Sequence, residues 1–318
     1  MSLTAPKAKA AEIPVVCAGM VVVDHLTPPI DHLPAAGELV PVDELVLNIG
    51  GGAANTAVAL GRLGVQARIC ARVGDDSFGR YATETLKAGG VDVRSLVVDP
   101  RHATSQSLIV NVRGEDRRFI HSVGSNLGFT PADLDPALEP PPRVLHIGYF
   151  LILPALDGIG LAQRFSRARS AGTITLLDVA TPGPGDYLKD LRPVLPVTDV
   201  FVPNTDEAAL ILGETDPVRQ AEAFHAMGAR MVVVTCGGRG SVVVSDRLRV
   251  QLGSYPVDFV DATGGGDAFN AGFIAGILDG LDELGCLKLA SAVGASCVRA
   301  VGTTAGVWGD HPPSLSTP

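Results

Sequence analysis

The sequence lacks the residue patterns that bind structural metal ions or build a framework of disulfides. Its five cysteines are an odd number, no C-x-x-C pair is present, and the seven histidines show no H-x-x-x-H spacing. Neither a zinc site nor a disulfide network is therefore expected. Free thiols in a reducing compartment are the simpler interpretation.

Positive charge is also scarce. The chain has 25 Lys and Arg against 34 Asp and Glu, which gives a formal net charge of −9. Binding to a nucleic-acid backbone or to an anionic membrane surface needs clustered positive charge, so neither partner is expected. A small anion held by backbone amides stays compatible with this composition.

Long apolar runs are missing as well, because none reaches the roughly 18 residues that a transmembrane helix needs. Residues Ile13–Val23 have the length of a signal-peptide core and follow Lys7 and Lys9. Asp24 comes directly after them and no small-residue cleavage site follows. The stretch is rich in β-branched residues, so we predict a buried strand and a cytoplasmic protein.

Several nucleotide-binding and hydrolase motifs are absent. The sequence contains no Gly-Lys dipeptide, which excludes a Walker A loop, and no G-x-S-x-G elbow. The first predicted strand runs into Gly19 without a G-x-G-x-x-G pattern. Gly237–Gly240 lies between two predicted strands rather than between a strand and a helix, so it is a weak dinucleotide signal.

The remaining pattern predicts one α/β domain over residues 13–310. Residues 1–12 are rich in Ala and Lys and predict a disordered tail. From about residue 130, strands alternate with helices, which is typical of a parallel sheet covered on both faces. Residues 26–48 and 103–125 predict exposed β-ribbons, and Glu38–Leu47 alternates apolar and polar residues. We expect the two ribbons to form a small sheet over one edge of the domain.

Three glycines open a predicted helix near the C-terminus, in Asp261-Ala262-Thr263-Gly264-Gly265-Gly266-Asp267. Bare backbone amides and the helix dipole make such a turn an anion site without any lysine. Asp267 falls in the first turn, where a carboxylate repels phosphate but is suited to accept a proton from an attacking hydroxyl. The alternative is a glycine-rich turn in which Asp267 only stabilises the helix start.

A second glycine run, Gly50–Gly52, opens another predicted helix and is followed by Asn55. Glycines allow a ligand or another backbone to approach closely, and an amide side chain offers both a donor and an acceptor to a sugar hydroxyl. The alternative is a simple bend with Asn55 as a local cap.

Three polar side chains follow predicted strands. Asp24, Asn204 and Asp261 are each placed at a carboxyl end, the edge at which open α/β sheets bind ligands. Each of them alone is compatible with a cap or turn residue, but three polar side chains at one edge of the sheet favour a ligand-binding site.

These motifs resemble the ribokinase-like, or PfkB, carbohydrate kinases over about residues 13–306. Two motifs more than 200 residues apart carry the resemblance: Gly50-Gly51-x-Ala53-x-Asn55, with Gly64 and Gly74 after it, and Asp261-x-Thr263-Gly264-Gly265-Gly266-Asp267. Weaker matches are Asn204-x-x-Glu207 and Thr235-x-Gly237-x-x-Gly240.

The resemblance implies a three-layer α/β/α sandwich with a mainly parallel central sheet and a small β-sheet lid, which often also forms a dimer interface. It implies ATP-dependent phosphorylation of a primary hydroxyl of a small sugar, with Mg²⁺. The implied roles are as follows: Asp267 as general base; Gly264, Gly265 and Gly266 as anion hole; Asp24, Gly51 and Asn55 for the sugar; Asn204 and Glu207 for Mg²⁺, through water, and the phosphates; Thr235, Gly237 and Gly240 for the nucleotide; and Asp261 and Thr263 for a monovalent cation such as K⁺.

Several departures from the family pattern bear on the substrate. Ala262 stands where Thr is usual, Gly52 where ribokinase has Lys, and Val22 where it has Asn. Tyr149 and Phe150 occupy a region in which ribokinase has a sugar-binding Glu. Fructose or a keto-deoxy sugar acid is therefore favoured over ribose.

Two alternatives to a sugar kinase stay open. One is a nucleoside kinase of the same family, which the 5% aromatic content disfavours because bases stack on rings. The other is a non-catalytic sugar- or nucleotide-binding protein on this fold. The intact Asp267 and glycine run argue against it.

Overall fold

A computed structural model describes residues 13–115 and 117–307, and the predicted tail over 1–12 lies outside the described residues. A nine-stranded sheet has the order β13-β12-β11-β10-β9-β8-β1-β4-β5. Its strands are β1 Val15–Gly19, β4 Ala67–Gly74, β5 Asp92–Asp99, β8 Val144–Gly148, β9 Ile174–Asp178, β10 Val200–Val202, β11 Met231–Thr235, β12 Ser241–Ser245 and β13 Arg249–Leu252. All pairings are parallel except β11–β12 and β12–β13.

Helices cover both faces of this sheet. They are α1 Gly52–Arg62, α2 Ser77–Ala88, α3 Gly158–Ser170, α4 Leu188–Val194, α5 Thr205–Leu212, α6 Pro217–Ala226, α7 Gly265–Asp279 and α8 Glu283–Cys297. Along β1, Val15 and Cys17 join the core under α1, α2, α7 and α8, whereas Val16 and Ala18 join the core under α3–α6. This alternation follows from the two-residue period of a strand and gives a three-layer sandwich.

A second, four-stranded sheet has the order β3-β2-β6-β7. Its strands are β2 Val22–Leu26, β3 Val46–Gly50, β6 Gln106–Val110 and β7 Arg118–Ser122. The fold class expected from the sequence, a large mainly parallel sheet with a small separate sheet, is confirmed.

Two expectations on the N-terminal region are wrong in detail. Ile13–Val23 is not one strand, because the chain turns after Gly19, which has a φ of +129° and lies so close to Gly148 that a Cβ would meet its carbonyl oxygen at 2.4 Å. The residues before and after the turn join different sheets. The ribbon over Glu38–Leu47 is irregular up to residue 45 and only then becomes β3. Pro41 within it has no N–H to donate to a neighbouring strand.

The sequence patterns also missed β13 and the short helix α4. Among the described residues, no helix combines the length and the apolar character that crossing a bilayer would require.

Candidate active site

The first turn of α7 is built around Gly264. This residue has a φ of +78°, and a Cβ on it would lie 2.0 Å from the carbonyl oxygen of Thr303. Only glycine fits both the left-handed backbone and the close approach. A Cβ on Gly266 would meet nothing within 4 Å, so the start of the helix is open on that side. The amide of Gly265 donates to the carbonyl oxygen of Ala262 at 3.2 Å, and Gly264 and Gly266 border a space that an anion can enter.

Asp267 lies in the same turn and is buried. Its Oδ2 accepts hydrogen bonds from Nδ2 of Asn55 at 2.8 Å and from the hydroxyl of Tyr149 at 3.1 Å. Its Oδ1 has no hydrogen-bond partner among the described residues. One carboxylate oxygen is thus fixed by two donors while the other is available to take a proton.

Burial raises the pKa of Asp267 from 3.8 to about 7, and the hydrogen bonds from Asn55 and Tyr149 oppose the rise. A general base works best when its pKa lies near the working pH. The same carboxylate raises the pKa of the Tyr149 hydroxyl, after burial, which is the larger cause. Tyr149 therefore stays protonated and donates.

Two further acids approach Asp267. Glu207 lies in the first turn of α5, and Asp178 ends β9. Burial raises the pKa of Glu207 to about 7, and the negative charge of Asp267 adds to the rise. Burial, and then the charges of Glu207 and Asp267, raise the pKa of Asp178. A cation bound among these three carboxyls would be favoured by charge.

Asn204 and Glu207 cap the start of α5 reciprocally. Oδ1 of Asn204 accepts from the amide of Glu207 at 2.8 Å, and Oε2 of Glu207 accepts from the amide of Asn204 at 2.9 Å. The cap fixes both side chains at the edge where β10 ends. No cluster of three or more His, Cys, Asp or Glu side chains in the described part of the chain is arranged to bind a metal ion by itself.

Two neighbouring cavities meet at the start of α7. One of about 180 Å³ contains Asp267 and is lined also by Tyr149, Asp178, Asn204, Glu207, Thr235, Gly264 and Asn270. The other, of about 480 Å³, is lined by Thr235, Gly237, Gly240, Tyr255, Phe269 and Gly294 among others. Thr235, Ala262 and Gly266 line both. The larger space is apolar and the smaller one acidic.

The residues expected to hold a sugar come from β2 and from the start of α1. Gly51 has a φ of +94°, and a Cβ on it would meet the carbonyl oxygen of Met20 at 2.4 Å. Asn55, one turn into α1, binds Asp267 directly. Asp24 lies within β2 of the small sheet, against Gly50, and not at the end of a strand of the large sheet as expected. Burial raises its pKa to about 6.

Asp261 does not follow a strand either, since residues 253–262 are irregular. Its Oδ1 accepts from the amide of Thr263 at 3.0 Å and from the hydroxyl of Thr263 at 2.6 Å. Its Oδ2 accepts from the amide of Gly302 at 3.1 Å. The guanidinium of Arg117, which directly precedes β7 of the small sheet, pairs with Asp261 at 3.2 Å and donates to the Thr263 hydroxyl. The guanidinium of Arg117 thus occupies the position beside Asp261 and Thr263 at which a monovalent cation was expected.

Sequence reasoning missed Asp178, Asn270 and the contact of Tyr149 with Asp267. Asp178 is the last residue of β9, so the same strand-end argument that pointed to Asn204 applies to it. Asn270, one turn after Asp267, is buried and lines the acidic cavity, and its Oδ1 has no hydrogen-bond partner in the part of the chain that the structure describes. No sequence signal indicated the Tyr149 contact, because it joins elements 118 residues apart.

Known proteins resemble the chain over nearly its whole length. It is 31% identical to a ribokinase of Mus musculus over 86% of this chain and 85% of that one. It is 30% identical to a 2-dehydro-3-deoxygluconokinase of Thermoproteus tenax over 83% of this chain and 81% of that one. It spans 43% of a longer, bifunctional ribokinase/ribose-5-phosphate isomerase A of Fructilactobacillus sanfranciscensis, with 27% identity.

Among solved structures, one assigned as a ribokinase II from E. coli, in complex with ATP and Mg²⁺, superposes with a TM-score of 0.74 and 26% identity. That comparison covers 92% of this chain and 95% of the other. The sequence profile of the pfkB family carbohydrate kinases matches residues 13–309. The chain therefore belongs to the pfkB family and is a carbohydrate kinase.

Proposed function

We propose that the protein transfers the γ-phosphoryl group of ATP, with Mg²⁺, to a primary hydroxyl of a small sugar or sugar derivative, with Asp267 as general base. The observation that carries this proposal is the buried carboxyl of Asp267 in the open first turn of α7, with Oδ2 fixed by two donors and Oδ1 unpartnered.

In this mechanism, Asp267 accepts the proton of the attacking sugar hydroxyl on Oδ1. Asn55 and Tyr149 hold the carboxylate in one orientation through Oδ2. Because the pKa of Asp267 is about 7, the carboxylate is available near neutral pH and still basic enough to take the proton.

The amides at Gly264, Gly265 and Gly266 act as the anion hole. They replace the lysine of a Walker A loop and stabilise the charge of the transferring phosphoryl group together with the α7 dipole. ATP, when bound, supplies the phosphoryl group. Thr235, Gly237 and Gly240 line the larger cavity and would hold the nucleotide there. The complex of the E. coli relative with ATP and Mg²⁺ supports this assignment.

The acidic cavity fits a magnesium ion bound mainly through phosphate oxygens and water. Glu207 and Asp178 supply negative charge, and Asn204 orients Glu207. Mg²⁺ commonly keeps several waters and takes few carboxylate ligands, which suits a cavity without a closed cluster of ligands. A monovalent cation at Asp261 and Thr263 would have to share their oxygens with Arg117, so we derive no step through K⁺.

For the sugar, we propose contacts with Asp24, Gly51 and Asn55, and fructose or a keto-deoxy sugar acid over ribose. A Cβ on Gly52 would lie 2.6 Å from the ring of Tyr149. The lysine that ribokinase carries at the position of Gly52 is therefore incompatible with Tyr149 where it lies here. One relative is named a 2-dehydro-3-deoxygluconokinase and an equally similar one a ribokinase, so the preference rests on the sequence departures and on the packing of Gly52 against Tyr149.

We further propose that residues 13–310 act as one domain, with segments 26–48 and 103–125 as a lid that excludes water during transfer. Exposed apolar side chains on the small sheet, such as Phe119 and Ile120, support a homodimer through this lid. The five free cysteines are compatible with a cytoplasmic location.

The test is ADP release from ATP and Mg²⁺ with fructose, 2-dehydro-3-deoxygluconate, ribose and a set of nucleosides, followed by ³¹P NMR of the product. A phosphomonoester on the primary carbon of one sugar is the expected result. ADP release with a nucleoside alone would favour a nucleoside kinase. ATP binding with no phosphorylated product from any acceptor would contradict the proposal and favour a binding protein.

A further inference from the structure

A row of polar side chains crosses the small sheet from one edge to the other. In the strand register, Asp24 lies opposite Asn48 on β3 and opposite Ser107 on β6, and Ser107 lies opposite His121 on β7. Residues in register on neighbouring strands project from the same face. We call these four residues the polar strip.

The members of the polar strip are connected. Oγ of Ser107 and Nδ1 of His121 are 3.0 Å apart, and the Ser107 hydroxyl also hydrogen-bonds the carboxylate of Asp24. Ser107 is 7% exposed, whereas His121 remains accessible. The strip therefore holds a fixed arrangement of carboxylate, hydroxyl and imidazole with its far end open.

This face of the sheet is turned toward the start of α7. Arg117 and Phe119 precede His121 at alternate positions, so they share its side of the chain, and Arg117 reaches Asp261 and Thr263 just before Gly264. On the opposite face, His25 packs edge-on against Phe78 of α2, with ring centroids 5.2 Å apart.

The glycine turn before α1 joins the polar strip to Asp267. The Asp24 carboxylate lies against Gly50, and a Cβ on that glycine would be 2.0 Å from its Oδ2. Two residues later, Gly52 lies against Tyr149, whose hydroxyl binds Asp267. A substrate bound along the Gly50–Gly52 turn would thus have Asp267 at one end and the polar strip at the other.

The chemistry of the strip suits hydroxyl groups and not a carboxylate. Asp24 accepts hydrogen bonds from hydroxyls, and charge-assisted bonds of this kind are strong. Burial lowers the pKa of His121, so its ring is neutral near pH 7 and adds no positive charge. Arg117, the cation on the same side of β7, is paired with Asp261. A substrate carboxylate would meet Asp24 and Asp267 as like charges.

We propose that the polar strip selects a neutral polyhydroxylated sugar over a sugar acid, with Ser107 and His121 as specificity residues that contact its hydroxyls. This inference rests on the proposed function and narrows it to the neutral class of acceptor.

The test is calorimetric titration of D-fructose and of 2-dehydro-3-deoxygluconate into the wild type and into the Ser107→Ala, His121→Ala and His121→Asn variants. Ser122→Ala is the matched control, because Ser122 follows His121 on β7 and projects from the opposite face of the small sheet. We expect the wild type to bind fructose at least tenfold more tightly than the acid. Ser107→Ala and His121→Ala should each weaken fructose binding about five- to tenfold, the size of one lost hydrogen bond. Ser122→Ala should stay within twofold of wild type, and His121→Asn should restore binding.

ATP affinity, measured on the same samples, separates recognition from folding and should be unchanged in every variant. Tighter binding of the acid, unchanged fructose binding in Ser107→Ala and His121→Ala, or an equal loss of ATP affinity would each overturn the proposal. Because the titrations measure sugar binding, they test the role of the polar strip even if the protein phosphorylates neither sugar. Fructose binding that depends on the strip, with no ADP release, would refute the proposed function alone.

Discussion

Replacing Asp267 by asparagine is expected to increase the stability of the protein while removing its activity. The side chain is buried, and its ionisation is opposed by burial more strongly than it is supported by Asn55 and Tyr149. An asparagine at this position carries no charge, and its Oδ1 can still accept both hydrogen bonds. The substitution therefore removes a buried charge and keeps the geometry.

The magnitude follows from the pKa of Asp267. Raising it from 3.8 to about 7 means that ionising this group costs the folded state about 4 kcal/mol more than the unfolded chain. Because the folded pKa is the higher one, the wild type loses this stability as the pH rises from about 4 to about 7. Asp267→Asn should gain up to about 4 kcal/mol near pH 8 and about 2 kcal/mol near pH 5.5.

Activity should move in the opposite direction. An amide cannot accept the hydroxyl proton, and a positioned general base contributes about 10²- to 10⁴-fold to the rate. We expect kcat to fall by that factor. ATP affinity should be retained, because the amides of Gly264–Gly266 are unchanged.

The assay is urea unfolding at the two pH values, together with kcat for the acceptor that the panel identifies. Asp279→Asn is the matched control, because Asp279 is the exposed last residue of the same helix. A variant that is less stable than wild type near pH 8, or a stability change that does not depend on pH, would refute the electrostatic reasoning. A kcat within threefold of wild type would refute the assignment of the base.

Three further outcomes are expected. Tyr149→Phe removes a donor that lowers the pKa of Asp267, so the acidic limb of kcat/KM against pH should move from about 7 to higher pH, and an unmoved limb would contradict the contact. Gly264→Ala should abolish activity and lower the free energy of unfolding by much more than Gly280→Ala, for which about 1–2 kcal/mol is expected. Both glycines have a positive φ, but only Gly264 lacks room for a Cβ. Equal effects in thermal melts would refute this. Arg117→Gln should speed hydrogen exchange in β7 and raise KM for the sugar, because the ion pair that ties the small sheet to the α7 loop is lost; unchanged exchange would argue against that tie.

Much of the fold could be predicted because local patterns decide it. The start of the helix Thr205–Leu212 follows from local sequence, since Asn204 and Glu207 are spaced as a capping box and the structure shows that cap. The apolar strands of the large sheet stand out for the same reason. The ribbon over Glu38–Leu47 failed, because an alternating pattern becomes a strand only where a neighbouring strand offers hydrogen bonds. Between β2 and β3, where every residue is described, the chain pairs with another strand segment only through the isolated bridge of Ile30 with Val112.

The candidate site divides in the same way. Asp267 and Gly264–Gly266 could be predicted as site residues because a helix start, a glycine run and a carboxyl are contiguous in sequence, and their roles stay a prediction. The side chains around Asp267 could not be predicted, because Tyr149 follows β8 and Asp178 ends β9, both far from Asp267 in sequence. Asp24 belongs to a different sheet than expected. Arg117 lies 144 residues from the aspartate with which it pairs, so no sequence pattern joins the two.

The sequence by itself determined the class of fold and the two glycine turns, and it predicted Asp267 as the base, because each of these depends on patterns of residues close to one another in the chain. Only the tertiary structure decided the pKa of Asp267, the position of Arg117 against Asp261 and the polar strip of the small sheet. These depend on burial and on which distant strands become neighbours, and long-range packing sets both.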